Sequence, residues 1–453
     1  MLSDLADMTE PGTSRLERLL NLFAVVRPGE ARTALLLALN VFLILMAYYI
    51  LKTVREALIL GEGTAELKSY LSAGQVVTLA FVVPLYGRLV AAFPRIRLIN
   101  VVTAFFIACP LVFYVLAQLG VPLGMVYFVW IGIFSLMIVA QFWSFANDVY
   151  SKEEGERLLV IVGFGASLGA VAGAMVADQL IKPFGVLQLM LLGAAVLAVQ
   201  LLITNYIDRT ERARRSGGAQ PKTVKAKAGP GESPFAMVFK TRYLLLMALM
   251  IMVINWINAT GEYILGDIVK EQAGAMLAAG TAPGLTEGQI IGDFYATYFS
   301  LTNGLGLILQ LFVVSRIIKN RGVAVALMIL PALSFGAYNV LIFVPLLNAA
   351  LAAKVVENST DYSLNNTVRN MLFLPCTYQQ KFAAKQAIDS FFVRMGDVLS
   401  AALVFIGSSL ALPSRGFAFV NVVLALVALL LAWRVGSYYK TLTASSAAPS
   451  AAA

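Results

Sequence analysis

Apolar residues recur along this chain in runs of about 20, the length that crosses a hydrocarbon core, with short polar turns between them. About twelve such runs are counted. They start near Thr33, Tyr70, Leu98, Met125, Leu158, Val186, Tyr243, Asp293, Val323, Leu347, Lys385 and Phe417. Strand-type alternation is absent, so an outer-membrane barrel is not expected. The pattern predicts an all-α polytopic membrane protein. The first 30 residues break it: Leu16, Leu19, Leu20 and Phe23 share one face of an amphipathic helix, with Arg15, Glu17 and Arg18 off it. That segment is expected to lie on the cytoplasmic leaflet, and it shows no cleavable signal pattern. The longest hydrophilic break, Asp208 to Pro234, is basic and rich in Gly and Pro and reads as a flexible linker. It divides the runs six and six. The expected organisation is therefore a cytoplasmic segment over 1–30, a six-helix half over 31–207, a linker over 208–234, a second half over 235–440 and a disordered Ala/Ser-rich tail over 441–453.

The two halves echo one another. Tyr86 to Leu98 (YGRLVAAFPRIRL) and Val314 to Leu327 (VSRIIKNRGVAVAL) each place a small residue and Arg at a helix exit. Ser144 to Val149 (SFANDV) and Ser363 to Val368 (SLNNTV) share S-x-x-N-x-V at the same place in each half. Two six-span halves joined by a linker is the major-facilitator organisation, in which the substrate site lies near the midplane and the halves rock around it.

Composition sharpens this picture. The 453 residues are 59% hydrophobic and only 13% charged, about half the charged share of a soluble protein. The mean hydropathy is +0.81. The net charge of +9 lies in loops, including Arg88, Arg95 and Arg97, Lys152 and Arg157, and Arg316, Lys319 and Arg321. It reads as topogenic charge, not as a nucleic-acid surface, and it places both termini in the cytoplasm. A bacterial inner membrane is the expected location. Cys109 and Cys376 form no CxxC, and there is no histidine, so His triads, His metal sites and His relays are excluded. No metal or cofactor is expected. No Walker A sequence occurs, and Gly163-Phe164-Gly165 follows no strand. Gly165, Gly169 and Gly173 instead predict close helix packing.

Ionisable residues inside spans are the candidates for function, because they must face a partner or a watery cavity. In the tenth run Lys354, Glu357, Asn358, Asp361 and Asn365 share one helical face. In the first, Tyr48, Lys52, Arg55 and Glu56 do the same. Two readings stay open for Lys52 and Arg55: snorkelling or pairing with Glu56, or an anion site. In the seventh, Asn255, Asn258 and Glu262 recur at i, i+3 and i+7. Glu262 either reaches the outer interface or serves as a buried carboxylate. Lys385 and Asp389 stand at i, i+4 and are expected either to pair at the mouth of the eleventh span or to be topogenic. Lys381 reads as topogenic. Asn147, Arg369, Asp389 and Glu56 are the candidates for gating or charge pairing.

Tyr362 to Asp389, YSLNNTVRNMLFLPCTYQQKFAAKQAID, resembles, without gaps, a region of the nucleotide transporter family, the ATP/ADP translocases of plastids and intracellular bacteria. That region reads approximately YSLFDPTKEMAYIPLDEDSKVKGKAAID. Three more stretches agree in order: YYILKTVREALIL, FWSFANDVYSKEEGERLLVIVGFGAS and INATGEYIL. The sequence departs from the family pattern at Val54 and Glu56, at Asn366 to Asn370, and around Arg394 to Asp397. The resemblance implies a major-facilitator-like nucleotide exchanger and no enzyme, with the family's important charges on Arg55, Glu262 and Lys385.

The expected function is ATP/ADP-type exchange by alternating access. Phosphate would be held by Arg55, Lys52 and Lys385, with hydrogen bonds from Asn255, Asn258 and Asn365 and stacking on Tyr48. Glu262, Glu357 and Asp361 would pair with these cations when the site is empty. The alternatives are the same fold carrying another phosphorylated or organic anion, proton-coupled through Glu262 or Asp361, or a membrane scaffold or sensor that moves nothing. The expected partners are the anionic substrate and the bilayer, with the chain a monomer.

Overall fold

The structure is a computed structural model that describes residues 26–27, 30–150, 152–215, 234–377, 380 and 384–447. Twelve helices follow the apolar runs. They are α1 (Ala31–Glu62), α2 (Ala65–Ala92), α3 (Arg95–Gln118), α4 (Gly124–Val149), α5 (Lys152–Phe184) and α6 (Gln188–Arg215), then α7 (Arg242–Ala278), α8 (Glu287–Ile308), α9 (Val314–Phe343), α10 (Leu347–Thr360), α11 (Val393–Ser409) and α12 (Ser414–Ala447). Among the described residues, nine stretches are long and apolar enough to cross a membrane. The 57-residue one, Glu287–Phe343, holds both α8 and α9. Gly322, at φ 78°, breaks it near the start of α9, in the region where L side chains are strained. α2 and α10 stand beside these stretches as helices of 28 and 14 residues.

The chain forms two compact units: Met1–Arg55 with Ala80–Lys225, and Glu56–Leu79 with Ala226–Ala453. Two of its three cuts fall inside α1 and α2, and the third, between Lys225 and Ala226, falls in the linker.

In the first unit α5 packs on α1 as the glycine spacing predicts. A Cβ at Gly165, Gly169 or Gly173 would land on the carbonyl oxygens of Ala38, Phe42 and Met46 respectively. Two stripes at matching i, i+4 spacing thus meet backbone to backbone. α6 is tied to α1 by a buried amide cluster: Gln200 Nε2 donates to Asn40 Oδ1 (2.9 Å) and Asn40 Nδ2 to Thr204 Oγ1 (2.8 Å). Asn100 and Asn205 exchange hydrogen bonds between α3 and α6. Ion pairs gather at helix ends: Arg95 bonds Asp148 (3.0 Å) and Asp208 (3.1 Å), and both terminal guanidinium nitrogens of Arg157 bond Glu30.

In the second unit α7 lies against α10, α11 and α12, and α9 packs along α12. At the α7–α11 crossing a Cβ at Gly396 would meet Met252 O at 2.8 Å, so only glycine permits the approach. π-helical turns interrupt this unit at Leu309–Val313, Asp361–Asn365 and Ile388–Phe392. The end of α1 is held here by Lys270 of α7, whose ammonium donates to Leu60 O (2.6 Å) and Gly63 O (2.5 Å) and lies 3.5 Å from Glu287.

Two boundaries differ from expectation. The linker starts later, because α6 continues to Arg215: Asp208 pairs with Arg212 one turn on (2.7 Å), and no helix breaker occurs before Gly217. The tail is helical to Ala447, because 441–447 holds neither Pro nor Gly and the Thr441 and Thr443 hydroxyls bond back to carbonyls a turn earlier. The amphipathic face at Leu16 to Phe23 and the candidate Lys381 lie outside the described residues.

Candidate functional site

The polar face of α10 is turned inward. Lys354 is only 1% exposed, and an ammonium in that setting requires acceptors on every side. Its Nζ donates to Asn258 Oδ1 (2.7 Å) and to Glu357 Oε2 (2.8 Å), and sits 3.6 Å from Glu262 Oε1. Glu357 also accepts from the hydroxyls of Ser334 (2.9 Å) and Tyr338 (2.8 Å) on α9. Glu262 on α7 accepts from Tyr298 OH (2.8 Å) on α8 and from Asn358 Nδ2 (3.1 Å). Asn358 Nδ2 also contacts Tyr298 OH closely.

The lattice continues onto the segment that α1 and α2 lend to the second unit. Lys68 Nζ lies 3.7 Å from Glu262 Oε2 and 2.8 Å from Glu56 Oε2, and it donates to Tyr295 OH (3.2 Å) while sitting over that ring. Charges therefore alternate in sign along Glu56, Lys68, Glu262, Lys354 and Glu357. Glu262 is the open member, its side chain 27% exposed, against 1–6% for the other four. An anion entering this lattice meets two ammoniums already held in place and competes with the accessible carboxylate of Glu262 for both.

The other candidates of the second unit form a separate cluster. Asp361 accepts from Asn365 Nδ2 (2.7 Å). Asn255 Nδ2 donates to Val393 O (2.7 Å) and Asp397 Oδ1 (2.8 Å), and Asp397 pairs with Arg394 (3.2 Å). The expected Lys385–Asp389 pair does not form. Asp389 is taken by the guanidinium of Arg369, and Lys385 donates to Asn370 Oδ1 (2.7 Å). The π turn at Ile388–Phe392 alters the register that i, i+4 spacing assumes, and Arg369 offers two nitrogens to one carboxylate.

In the first unit the ammonium of Lys52 lies over the rings of Tyr48 and Tyr49, and the guanidinium of Arg55 over Phe128 at 4.7 Å. Tyr48 stacks on Phe134. Asn147 is exposed on α4, and its neighbour Asp148 carries the ion pair to Arg95.

Sequence pattern alone does not single out Lys68, Tyr295, Tyr298, Ser334 or Tyr338, and it gives Lys354 only as part of a polar face. Lys68 follows Glu66 at the start of an apolar run, where charge reads as interfacial. Tyrosine and serine carry no polar signal strong enough to stand out of such a run.

Over residues 10–127 the sequence matches the TLC ATP/ADP transporter family. ADP,ATP carrier protein 1 of Chlamydia muridarum (strain MoPn / Nigg) is 23% identical over 302 residues, covering 58% of this chain and 54% of that protein. ADP,ATP carrier protein 1 of Chlamydia trachomatis serovar D is 23% identical over 339 residues, 66% of this chain and 61% of that protein. The chain thus spans little more than half the length of these relatives. They are named as carriers, and they support the resemblance read from the motifs. Among solved structures, the nucleoside transporter NupG superposes with a TM-score of 0.62 at 12% identity, over 90% of this chain and 99% of that one. A bacterial homologue of the iron transporter ferroportin, in an inward-facing state, gives 0.59 at 14% identity, over 90% and 99%. These likenesses show that the chain shares the fold of these two structures.

Proposed function

We propose that this chain exchanges nucleotides, ATP against ADP or a related pair, across a bacterial inner membrane by alternating access, with both termini cytoplasmic. The observation that carries the reading is the alternating lattice from Glu56 to Glu357. Buried charges are costly unless paired, and a row of them built through a membrane helix bundle marks a solute pathway. Substrate phosphate takes Lys354 and Lys68 from Glu262, and the carboxylate takes them back when the substrate leaves. Asn258 and Asn358, already bonded to Lys354 and Glu262, hold the two groups in register. In the first unit Lys52 and Arg55 are cationic contacts for an anion, and in the second Lys385 with the Arg369–Asp389 pair forms a gate.

The test is uptake of labelled ADP into liposomes loaded with ATP. The expected result is counter-exchange that stops when the lumen is empty, and that falls at least tenfold in Glu262→Gln and Lys354→Gln. Uptake that is indifferent to internal ATP would sink the exchange reading. A second reading, another phosphorylated anion on the same lattice, is favoured by the departures at Asn366 to Asn370. Stabilisation of the purified protein by sugar phosphates and not by nucleotides would establish it.

A further inference from the structure

The cluster around Asp361 borders a partly open cavity of about 30 Å³ within the second unit, lined by Asn255, Asn258, Asp361, Asn365 and Arg369 among aliphatic side chains. That volume suits a small ion with a water, not an organic solute. Its chemistry follows from which way each amide points. Val393 O and the Asp397 carboxylate only accept, so Asn255 must turn its NH₂ to them, and its Oδ1 is left over. Asn365 gives its NH₂ to Asp361 Oδ1, so its own carbonyl is left over as well. The second oxygen of Asp361 has no hydrogen-bond partner among the described residues. Three side-chain oxygens left over in this way, one of them anionic, thus belong to residues that line one ion-sized space.

The charges facing it are already matched. Arg369 is held by Asp389, Arg394 by Asp397 and Lys354 by Glu357. Asp361 is the carboxylate of this cluster with no ion pair among the described residues. It also begins the π-helical turn Asp361–Asn365, an irregularity that recurs at functional sites and, in transporters, where helices are broken around coupling ions. Carboxylate and carboxamide oxygens are hard ligands. A single negative charge suits a monovalent ion, and the described residues hold no cluster of three acidic, His or Cys side chains for a divalent one.

We propose that this cavity binds a monovalent cation, sodium by size, with Asp361 as the charged ligand and Asn255 and Asn365 as neutral ones. Asn258 lines the same cavity and accepts from Lys354, so cation occupancy is transmitted to the lysine–glutamate lattice through one side chain. The ion is a coupling ion for whatever anion the lattice carries.

The test needs no nucleotide, so its outcome is separate from that of the exchange assay. The full chain, purified in detergent, is titrated with NaCl against N-methylglucamine chloride at constant ionic strength. Unfolding temperature and the fluorescence of Trp256, beside Asn255, are followed. The expected result is a saturable response to sodium that is absent in Asp361→Asn and weakened at least tenfold in Asn255→Ala and Asn365→Ala. If Asp361→Asn does not fold, the two Ala variants, which keep the carboxylate, carry the test. Identical curves in the two salts, a sodium response unchanged in the variants, or a response that follows pH alone would each overturn the proposal, the last by making Asp361 a proton site.

Discussion

Replacing Lys354 by Met leaves Glu357 buried, with two hydroxyls to bond and no cation among its described partners. An uncompensated buried charge of this kind costs roughly 3–5 kcal/mol, and neutralising its partner should recover most of it. Unfolding of Lys354→Met and of Lys354→Met/Glu357→Gln in detergent is therefore expected to show the double variant as the more stable. Glu30 supplies a pH prediction outside the spans. Burial pushes its carboxyl up, but the Arg157 hydrogen bond, the Arg27 main-chain N–H and the nearby positive charges outweigh it, and it sits below its ordinary value of 4.5. A depressed carboxyl contributes stability above that value and loses it as pH falls through and below it. The wild type should thus lose more melting temperature on acidification than Glu30→Gln does. At this scale the sequence was informative where a charge stood inside an apolar run, as Glu262 and Lys354 do. It was silent about which partner each charge takes: Asp389 has Lys385 one turn away and binds Arg369, 20 residues off, instead.

Helix packing gives a sharper contrast. Gly169 admits no Cβ beside Phe42, whereas a Cβ at Gly163, on the same helix, meets nothing within 4 Å. Overpacking costs about 1–3 kcal/mol, so Gly169→Ala should unfold at clearly lower temperature while Gly163→Ala stays near wild type. Equal melting of the two would show that α5 and α1 are not in this register. The helices themselves were legible because twelve apolar runs and the GxxxG spacing are strong signals. The π turns were not, since one extra residue in a turn leaves the hydrophobic pattern almost unchanged. They shift the faces on which Asp361 and Asp389 sit, and so the site was only partly readable from period alone.

For the molecule as a whole, chain order and packing disagree in one place. Glu56–Leu79 precedes the linker but packs with the second unit, through Glu56 and Lys68, through Lys68 and Tyr295, and through Tyr263 and Glu66. Two fragments separated within 216–233 and expressed together should therefore co-purify, and Lys68→Met should weaken their association. Recovery of the fragments apart would contradict the division. The linker, where composition changes, does hold one of the cuts, but composition carries no sign that Glu56–Leu79 joins the second unit, because the contacts that bring it there come from residues some 200 positions away.

The ammonium of Lys270 on the last carbonyls of α1 has a consequence for biosynthesis. The first helix leaves the ribosome with its terminal acceptors unsatisfied, and the group that satisfies them is made 207 residues after Gly63. Until the seventh helix has inserted, the first hairpin must keep that turn in contact with water or with the insertion machinery. Nascent chains halted before residue 242 should leave a cysteine placed at Gly63 open to aqueous labelling, and chains halted after α8 should protect it.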